Sequence, residues 1–165
     1  MPRSDPAKLK KVSVNLPFGL GGAEWESDPT ERRAAWALYV HLVTRIAVQE
    51  LVSEQGLLRE ALSSLHELFP VTREILCTAG PDVGGHFPSV GAIAIAVLNK
   101  GIRPFLTKWH PALQDWENLR PNDRGALEHE NRWPDAANLR ADLAELRSGL
   151  ERYAVALGRI AGSTE

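Results

Sequence analysis

The side chains that most often carry chemistry are spread thinly along this chain. Its single cysteine, Cys77, excludes an intramolecular disulfide and a cysteine-rich zinc site. The Glu-x-x-His motif of di-iron bundles, the His-Glu-x-x-His motif of zinc proteases and the Gly-x-Ser-x-Gly motif of hydrolases are all missing. The five histidines fall one per segment: His41, His66, His86, His110 and His129. We therefore expect no metal and no cofactor, an inert core thiol at Cys77, and a solvated charge cluster at residues 128 to 130.

The densest mixture of cations, aromatics and prolines lies between residues 99 and 116. Its apolar residues keep a spacing of three and four through both prolines: Leu98, Ile102, Phe105, Trp109, Leu113 and Trp116. Since proline lacks an N–H group, we predict one helix kinked twice, at Pro104 and at Pro111.

Cations flank this predicted helix, and an aromatic side chain and a histidine lie at its elbow. Arginine and tryptophan are the side chains most often found as hot spots of protein interfaces. We interpret five residues as a docking surface for an acidic or aromatic partner: Lys100, Arg103, Lys108, Trp109 and His110.

The segment from Arg103 to His110 also fits an Arg-x(4 to 6)-His pattern and resembles the motif of the HEPN ribonucleases. That family consists of compact helical bundles that usually act as dimers. The resemblance implies that Arg103 and His110 would act together on RNA at a composite dimer site. Two further pairs fit the same pattern, Arg59 with His66 and Arg124 with His129. Residues 102 to 111 also resemble part of small all-helical bacterial proteins, a likeness that implies no function.

The elements that must position these residues begin with a helix at Pro29. Asp28 is a capping residue, and Glu31 completes a capping box three positions later. The apolar spacing predicts one buried face, widened by the residues beside it: Trp36, Val40, Val43 and Ala47, with Tyr39, Leu42 and Ile46.

Three more helices follow in the predicted order. The second starts near Leu57 with a heptad stripe, kinks at Pro70 and stops at Gly80; the stripe is Leu58, Leu62, Leu65, Phe69, Thr72 and Leu76. The apolar run at residues 89 to 98 is typical of either a buried strand or a buried helix, and its alanine content favours a helix. After a loop at residues 118 to 134, the last helix carries a long apolar stripe: Ala136, Leu139, Leu143, Leu146, Leu150, Tyr153, Leu157 and Ile160.

The N-terminal part has a different pattern. Residues 1 to 11 are polar and predict a disordered tail. From Val12 to Leu20 apolar residues alternate strictly, which predicts an extended arm. The arm either lies across its own domain or is given to another subunit.

The fold predicted from these signals is all-α, an antiparallel four-helix bundle with an extended N-terminal arm and a kinked third helix. Residues 1–28 form the tail and arm, and residues 29–162 form a single helical-bundle domain. At 165 residues one domain is the expected size, and a net charge of -2 favours neither nucleic acid nor membrane as a bulk partner. The N-terminus shows no signal peptide and no run long enough to span a bilayer, so we expect a cytoplasmic protein.

We predict from the sequence a non-enzymatic helical interaction module or accessory subunit of a bacterial complex, with a protein partner or self-association. The alternative is a HEPN-like ribonuclease or toxin using Arg103 and His110, and only under that alternative is nucleic acid a partner. A small-molecule sensor with a pocket among the aromatics is a third reading.

Overall fold

The computed structural model describes residues 9–51 and 55–163, with the backbone alone described at Ile46. Two strands, β1 (Lys10–Leu16) and β2 (Gly21–Ser27), precede the helices. The helices are α1 (Pro29–Val43), α2 (Leu58–His66), α3 (Leu68–Ala79), α4 (Val90–Ala96), α5 (Arg103–Glu117), α6 (Ala126–Asn131) and α7 (Ala136–Ala161). Short 3₁₀ turns occupy Ile46–Val48 and Pro81–Val83, and a π-helical segment, Val97–Ile102, joins α4 to α5. Most of the predicted tail, residues 1 to 8, lies outside the described residues.

The prediction of an all-α four-helix bundle with an extended arm is wrong. The structure is 68% helical, but it also contains a two-stranded antiparallel sheet, and the second of the expected long helices is divided into two. The predicted arm is the first strand of a hairpin. It folds back on β2 through a tight turn in which Leu20 N donates to Pro17 O at 3.2 Å. Left-handed backbone at Phe18 and Gly19 makes this turn.

The hairpin belongs to the same core as the helices. Val12, Val14 and Leu16 are buried, as strict alternation predicts, and β1 packs against α7. Across the sheet Val12 pairs with Trp25, while Val14 pairs with Ala23. The second strand was missed because glycines and glutamates outnumber its apolar residues.

The start of α1 confirms the predicted capping box. Glu31 N donates to Asp28 Oδ1 at 2.8 Å, and Pro29 occupies the first turn. The predicted buried face is wrong at its centre, however: Trp36 is 50% exposed and Val40 is 38% exposed, although the predicted members Leu42 and Ala47 are buried. The buried side of α1 is instead built on smaller residues one step round the helix, namely Ala34, Ala35, Leu38 and Leu42. Alanines permit close helix packing but give a weak sequence signal.

The predicted second helix is two helices that meet at Glu67. Hydrogen bonds continue on either side, from Glu67 N to Ser63 O and from Val71 N to Glu67 O. Pro70 has no N–H for the carbonyl of His66, which accounts for the break. The predicted stripe is confirmed at five positions, since Leu58, Leu62, Leu65, Phe69 and Thr72 are buried, whereas Leu76 is partly buried.

The stretch after Ser89 is helical, and its stripe is also confirmed. One continuous helix runs through the π-helical segment, where Arg103 N donates to Leu98 O five residues back, and Pro111 lies inside α5. The stripe members Leu98, Ile102, Phe105, Trp109 and Leu113 are buried, and Trp116 is partly buried. The long stripe of α7 is confirmed too, because every predicted member from Leu139 to Ile160 is buried.

This continuous helix, Val90–Asn118, bears on the question of membranes. Among the described residues it is the one helix whose length and composition would allow it to cross a bilayer. Half of its apolar window is buried inside the fold, as in the core helix of many globular proteins. Length and composition are therefore weak grounds for a membrane span.

Candidate functional site

A groove between α3 and α5 gathers positive and aromatic side chains. Five residues define it, and we call it the cationic groove: His66, Phe69, Arg73, Arg103 and His110. Pro70, Leu106, Thr107 and Pro111 complete a lining that contains no carboxylate, around a volume of about 530 Å³. His66 and Arg73 are seven residues apart and lie on one wall of the groove. Arg103 and His110 are also seven residues apart and lie on the other wall. That spacing places each pair on one flank of its chain segment.

Arg103 is held in place without being neutralised. Its guanidinium carbon lies 4.8 Å from the centre of the Phe69 ring, a cation–π geometry, and its Nε donates to Asn99 Oδ1 at 3.1 Å. Within the described part of the chain, no carboxylate lies within 4.0 Å of Arg103 or of Arg73. Two positive charges, of which Arg103 is held in position, are therefore left for a ligand.

A second arginine orients His110. Arg59 Nη1 lies 2.8 Å from His110 Nδ1, and Arg59 Nε donates to both carboxylate oxygens of Glu117, at 3.0 and 3.2 Å. Because arginine can only donate, Nδ1 accepts, and the neutral ring carries its proton on Nε2. This arrangement leaves His110 with an N–H donor for a ligand. It does not offer the unprotonated nitrogen that a general base needs.

The five predicted docking residues separate into two groups. Arg103 and His110 share the cationic groove, whereas Lys108 lies on the other side of α5, where its Nζ is 2.8 Å from Asp142 Oδ2. The hydrogen bond from Lys108 holds the pKa of Asp142 below its ordinary value. Lys100 is exposed in the π-helical segment and does not line the cationic groove.

Trp109 is a core residue and offers no docking surface. It is 4% exposed, and its Nε1 donates to Asp142 Oδ2 at 2.9 Å. The ring meets Trp133 edge-on, with centroids 5.9 Å apart. The docking role predicted for Trp109 is therefore wrong, because its side chain is buried. Its position in the apolar stripe is typical of a core residue.

The two other Arg-x-His pairs take different places. Arg59 contacts His110 rather than His66. Arg124 Nη1 does lie 3.3 Å from His129 Nδ1, but His129 is 2% exposed and its Nε2 donates to Trp116 O at 2.7 Å. His129 also stacks on Trp116, with centroids 4.4 Å apart. The histidine of the Arg124 pair is thus a structural residue.

The predicted solvated cluster at residues 128 to 130 is also wrong, because Glu130 is 3% exposed. Its carboxylate accepts hydrogen bonds from Leu58 N at 2.6 Å and Arg59 N at 3.3 Å. Helix α2 starts after Leu57, which has no capping side chain, so Glu130 caps it from the distant α6. Glu130 thereby also fixes the backbone that carries Arg59.

Burial gives Glu130 a testable pH signature. Desolvation raises its pKa above the ordinary 4.5, opposed by the two backbone hydrogen bonds. A raised folded-state pKa means that this carboxyl's contribution to stability is full below the unfolded pKa and is lost as the pH rises through the folded one. In urea titrations, the advantage of wild type over Glu130→Gln should therefore shrink as the pH rises from about 4 through the raised pKa of Glu130.

The exposed neighbour provides the control for this experiment. Glu128→Gln should not show the same trend, since Glu128 is exposed and pairs with Arg132 within α6 and its C-cap. An advantage of wild type over Glu130→Gln that grows with pH would contradict the assignment. It would show that the charged form is the one the folded state prefers.

Metal binding finds no support in the described ranges. Within residues 9–51 and 55–163, no group of three or more histidine, cysteine, aspartate and glutamate side chains could hold a metal ion. Cys77, predicted to be a core thiol, is exposed near the end of α3. It lies on the flank of α3 that faces away from the buried stripe.

Comparisons of the chain with models of known protein families, with curated proteins and with solved structures gave no significant match.

Proposed function

We propose that this protein is a non-enzymatic interaction module, an accessory subunit that binds an acidic segment of a protein partner in the cationic groove. One observation carries the proposal. Arg73 and Arg103 have no carboxylate partner among the described residues, yet they line a groove in which Phe69 holds one of them in position. Positioned cations without counter-charges are the complement of an acidic ligand.

The groove's apolar lining specifies the partner further. Phe69 and Leu106 are mostly buried, and two prolines border them. A segment that alternates carboxylates with leucine or phenylalanine would satisfy both the charges and the apolar surface. Each arginine–carboxylate contact contributes roughly 1.5 to 3 kcal/mol when it is well formed. Two such contacts plus apolar burial suffice for a specific, reversible complex.

A protein segment is favoured over nucleic acid by the charge of the whole chain. The net charge is -2, and strong nucleic-acid binding depends on neutralising many phosphates along an extended basic surface. The cationic groove has four cationic or titratable side chains within a limited volume. That volume suits a few side chains of a peptide.

Ribonuclease activity is the second candidate, favoured by the observation that Arg103 and His110 line one groove. With His110 fixed as a donor by Arg59, the general base would have to be His66, which lines the same groove. RNA incubated with wild type and with His110→Ala distinguishes the candidates. Cleavage by wild type alone would replace the interaction proposal, and intact RNA with both proteins agrees with it.

The direct test uses a fluorescent peptide of alternating glutamate and leucine, and a second peptide with lysine for glutamate. We expect the acidic peptide alone to bind, more weakly as salt rises. Arg73→Glu and Arg103→Glu should each lower its affinity about 10- to 100-fold, the equivalent of one charge-assisted contact. Fluorescence anisotropy measures these constants.

Arg152→Glu is the matched control for this test. Arg152 is an exposed arginine of α7 that lies outside the cationic groove. This variant makes the same change in net charge, so its affinity should stay within about twofold of wild type. Equal losses in all three variants would show that binding follows net charge and not the groove. Absence of binding by wild type would contradict the proposal outright.

A further inference from the structure

The outer face of α1 carries large apolar side chains that the described part of the chain does not cover. Trp36 is 50% exposed and Val40 is 38% exposed, and they lie one helical turn apart. Tyr39 stacks on Trp36, with ring centroids 5.6 Å apart and planes 22° from parallel. Adjacent exposed aromatic and aliphatic side chains of this kind mark interaction surfaces.

A groove between α1 and α3 runs along the neighbouring flank of α1. Its lining on the α1 side includes Ala34 and Ala37, and on the α3 side Ile75 and Ala79, around a volume of about 640 Å³. Small residues such as these allow another helix to approach closely. The groove shares no residue with the cationic groove, although α3 borders both.

The charges at the edges of this groove have opposite signs on its two walls. Arg33 lies on α1, and Glu74 lies on α3. Arg33 Nη2 makes one exposed contact of 3.4 Å with Thr30 Oγ1, and in the described ranges neither Arg33 nor Glu74 has an ion-pair partner within 4.0 Å. The groove therefore presents one charge of each sign within the same surface.

We infer that a second copy of this chain occupies the face formed by Trp36, Val40 and the α1/α3 groove. A two-fold axis brings the same patch of both subunits together. The α1 wall of the groove in one subunit then meets the α3 wall of the groove in its partner. Arg33 of each subunit then faces the partner's Glu74, and Trp36 and Val40 are covered. No other partner is needed to match both the apolar surface and the pair of opposite charges.

A charge swap tests this inference without disturbing the fold, because both positions are exposed. The dimer dissociation constant is measured by sedimentation for wild type, Arg33→Glu, Glu74→Arg and the double variant. Each single reversal should weaken the dimer at least about tenfold by setting like charges opposite each other. The double variant restores opposite charges and should recover to within about threefold of wild type.

The apolar part of the face is tested with Trp36→Glu, against Val155→Glu as the matched control. Val155 is 55% exposed on the outer side of α7. Trp36→Glu should leave the protein monomeric at concentrations where Val155→Glu remains dimeric, with unchanged circular dichroism for both. A wild type that is monomeric at about 1 mM overturns the inference. A dimer unaffected by Trp36→Glu, or a double variant no better than the single ones, overturns it as well.

Discussion

Replacing Glu31 by alanine should lower the free energy of unfolding by about 3 to 5 kcal/mol. The carboxylate is 5% exposed and joins three elements of the fold. Its Oε2 accepts from Trp25 Nε1 and from Asp28 N, both at 3.3 Å, and its Oε1 accepts from Val90 N at 3.1 Å. Alanine leaves all three donors without this acceptor. The Val90 N–H is buried, so leaving it unsatisfied costs about 1 to 3 kcal/mol, and the two part-buried donors add smaller losses.

The position of Glu31 explains why the loss exceeds that of an ordinary cap. Within α1 it completes the capping box, a contribution of about 0.5 to 2 kcal/mol. At Val90 it also places a negative charge at the first turn of the long helix, where the helix dipole favours it. One side chain thus fixes the hairpin, α1 and the start of α4 relative to one another.

Urea denaturation of Glu31→Ala measures this loss, with Glu26→Ala as the control. Glu26 is an exposed glutamate of β2, so its replacement should change stability by no more than about 0.5 kcal/mol. A loss below about 1 kcal/mol for Glu31→Ala would show that water or neighbouring groups satisfy the three donors.

The second large effect concerns Gly149→Ala, whose effect on the free energy of unfolding should change sign when the Phe18 ring is removed. The Phe18 ring at the tip of the hairpin packs against two glycines, Gly101 of the π-helical segment and Gly149 of α7. A Cβ at Gly149 would lie 2.6 Å from Phe18 Cε1 and 2.7 Å from its Cζ. In wild type, Gly149→Ala should therefore be destabilising, because overpacking of about 1 to 3 kcal/mol outweighs the helical preference for alanine.

Without the Phe18 ring the same substitution should stabilise the protein. Outside the backbone of α7, no atom other than those of Phe18 comes closer than 3.4 Å to the Cβ position at Gly149. In a Phe18→Ala background, Gly149→Ala should thus add up to about 1 kcal/mol, the usual gain of alanine over glycine within a helix. The coupling energy of the double-mutant cycle should be about 1 to 3 kcal/mol.

Ser148→Ala provides the matched control for this cycle. Ser148 is the exposed neighbour of Gly149 on α7, so its effect should be the same with and without Phe18. Additive effects of Phe18→Ala and Gly149→Ala would mean that the ring does not occupy the slot between the two helices in solution.

Local signals in the sequence were sufficient for much of the fold. The capping box at Asp28 and the stripe of α7 depend on neighbours within a few turns, and both are present. The pairing of β2 with β1 and the capping of α2 by Glu130 depend on tertiary contacts. Glu130 lies 72 residues from the Leu58 amide that it caps, and no local pattern encodes such a distance.

Half of the candidate site could be predicted from the sequence. Arg103 and His110 were predicted as docking residues and paired by the resemblance to the HEPN ribonucleases, and the structure puts both in the cationic groove. His66 and Arg73 have the same seven-residue spacing beside the stripe of α2 and α3. This spacing is the sequence signal that could have indicated that they belong to the site. Trp109 was misassigned because a tryptophan beside cations resembles a binding hot spot until its burial is known.

The measurement that tests the central claim most directly maps the acidic peptide onto the protein by nuclear magnetic resonance. Titration of the alternating glutamate and leucine peptide should shift the resonances of Phe69, Arg73, Arg103 and His110. The signals of Arg152 and of the α1 face around Trp36 should stay in place. Shifts at those distant residues instead, or no shifts at a peptide excess that saturates binding, would contradict an acidic-partner site in the cationic groove.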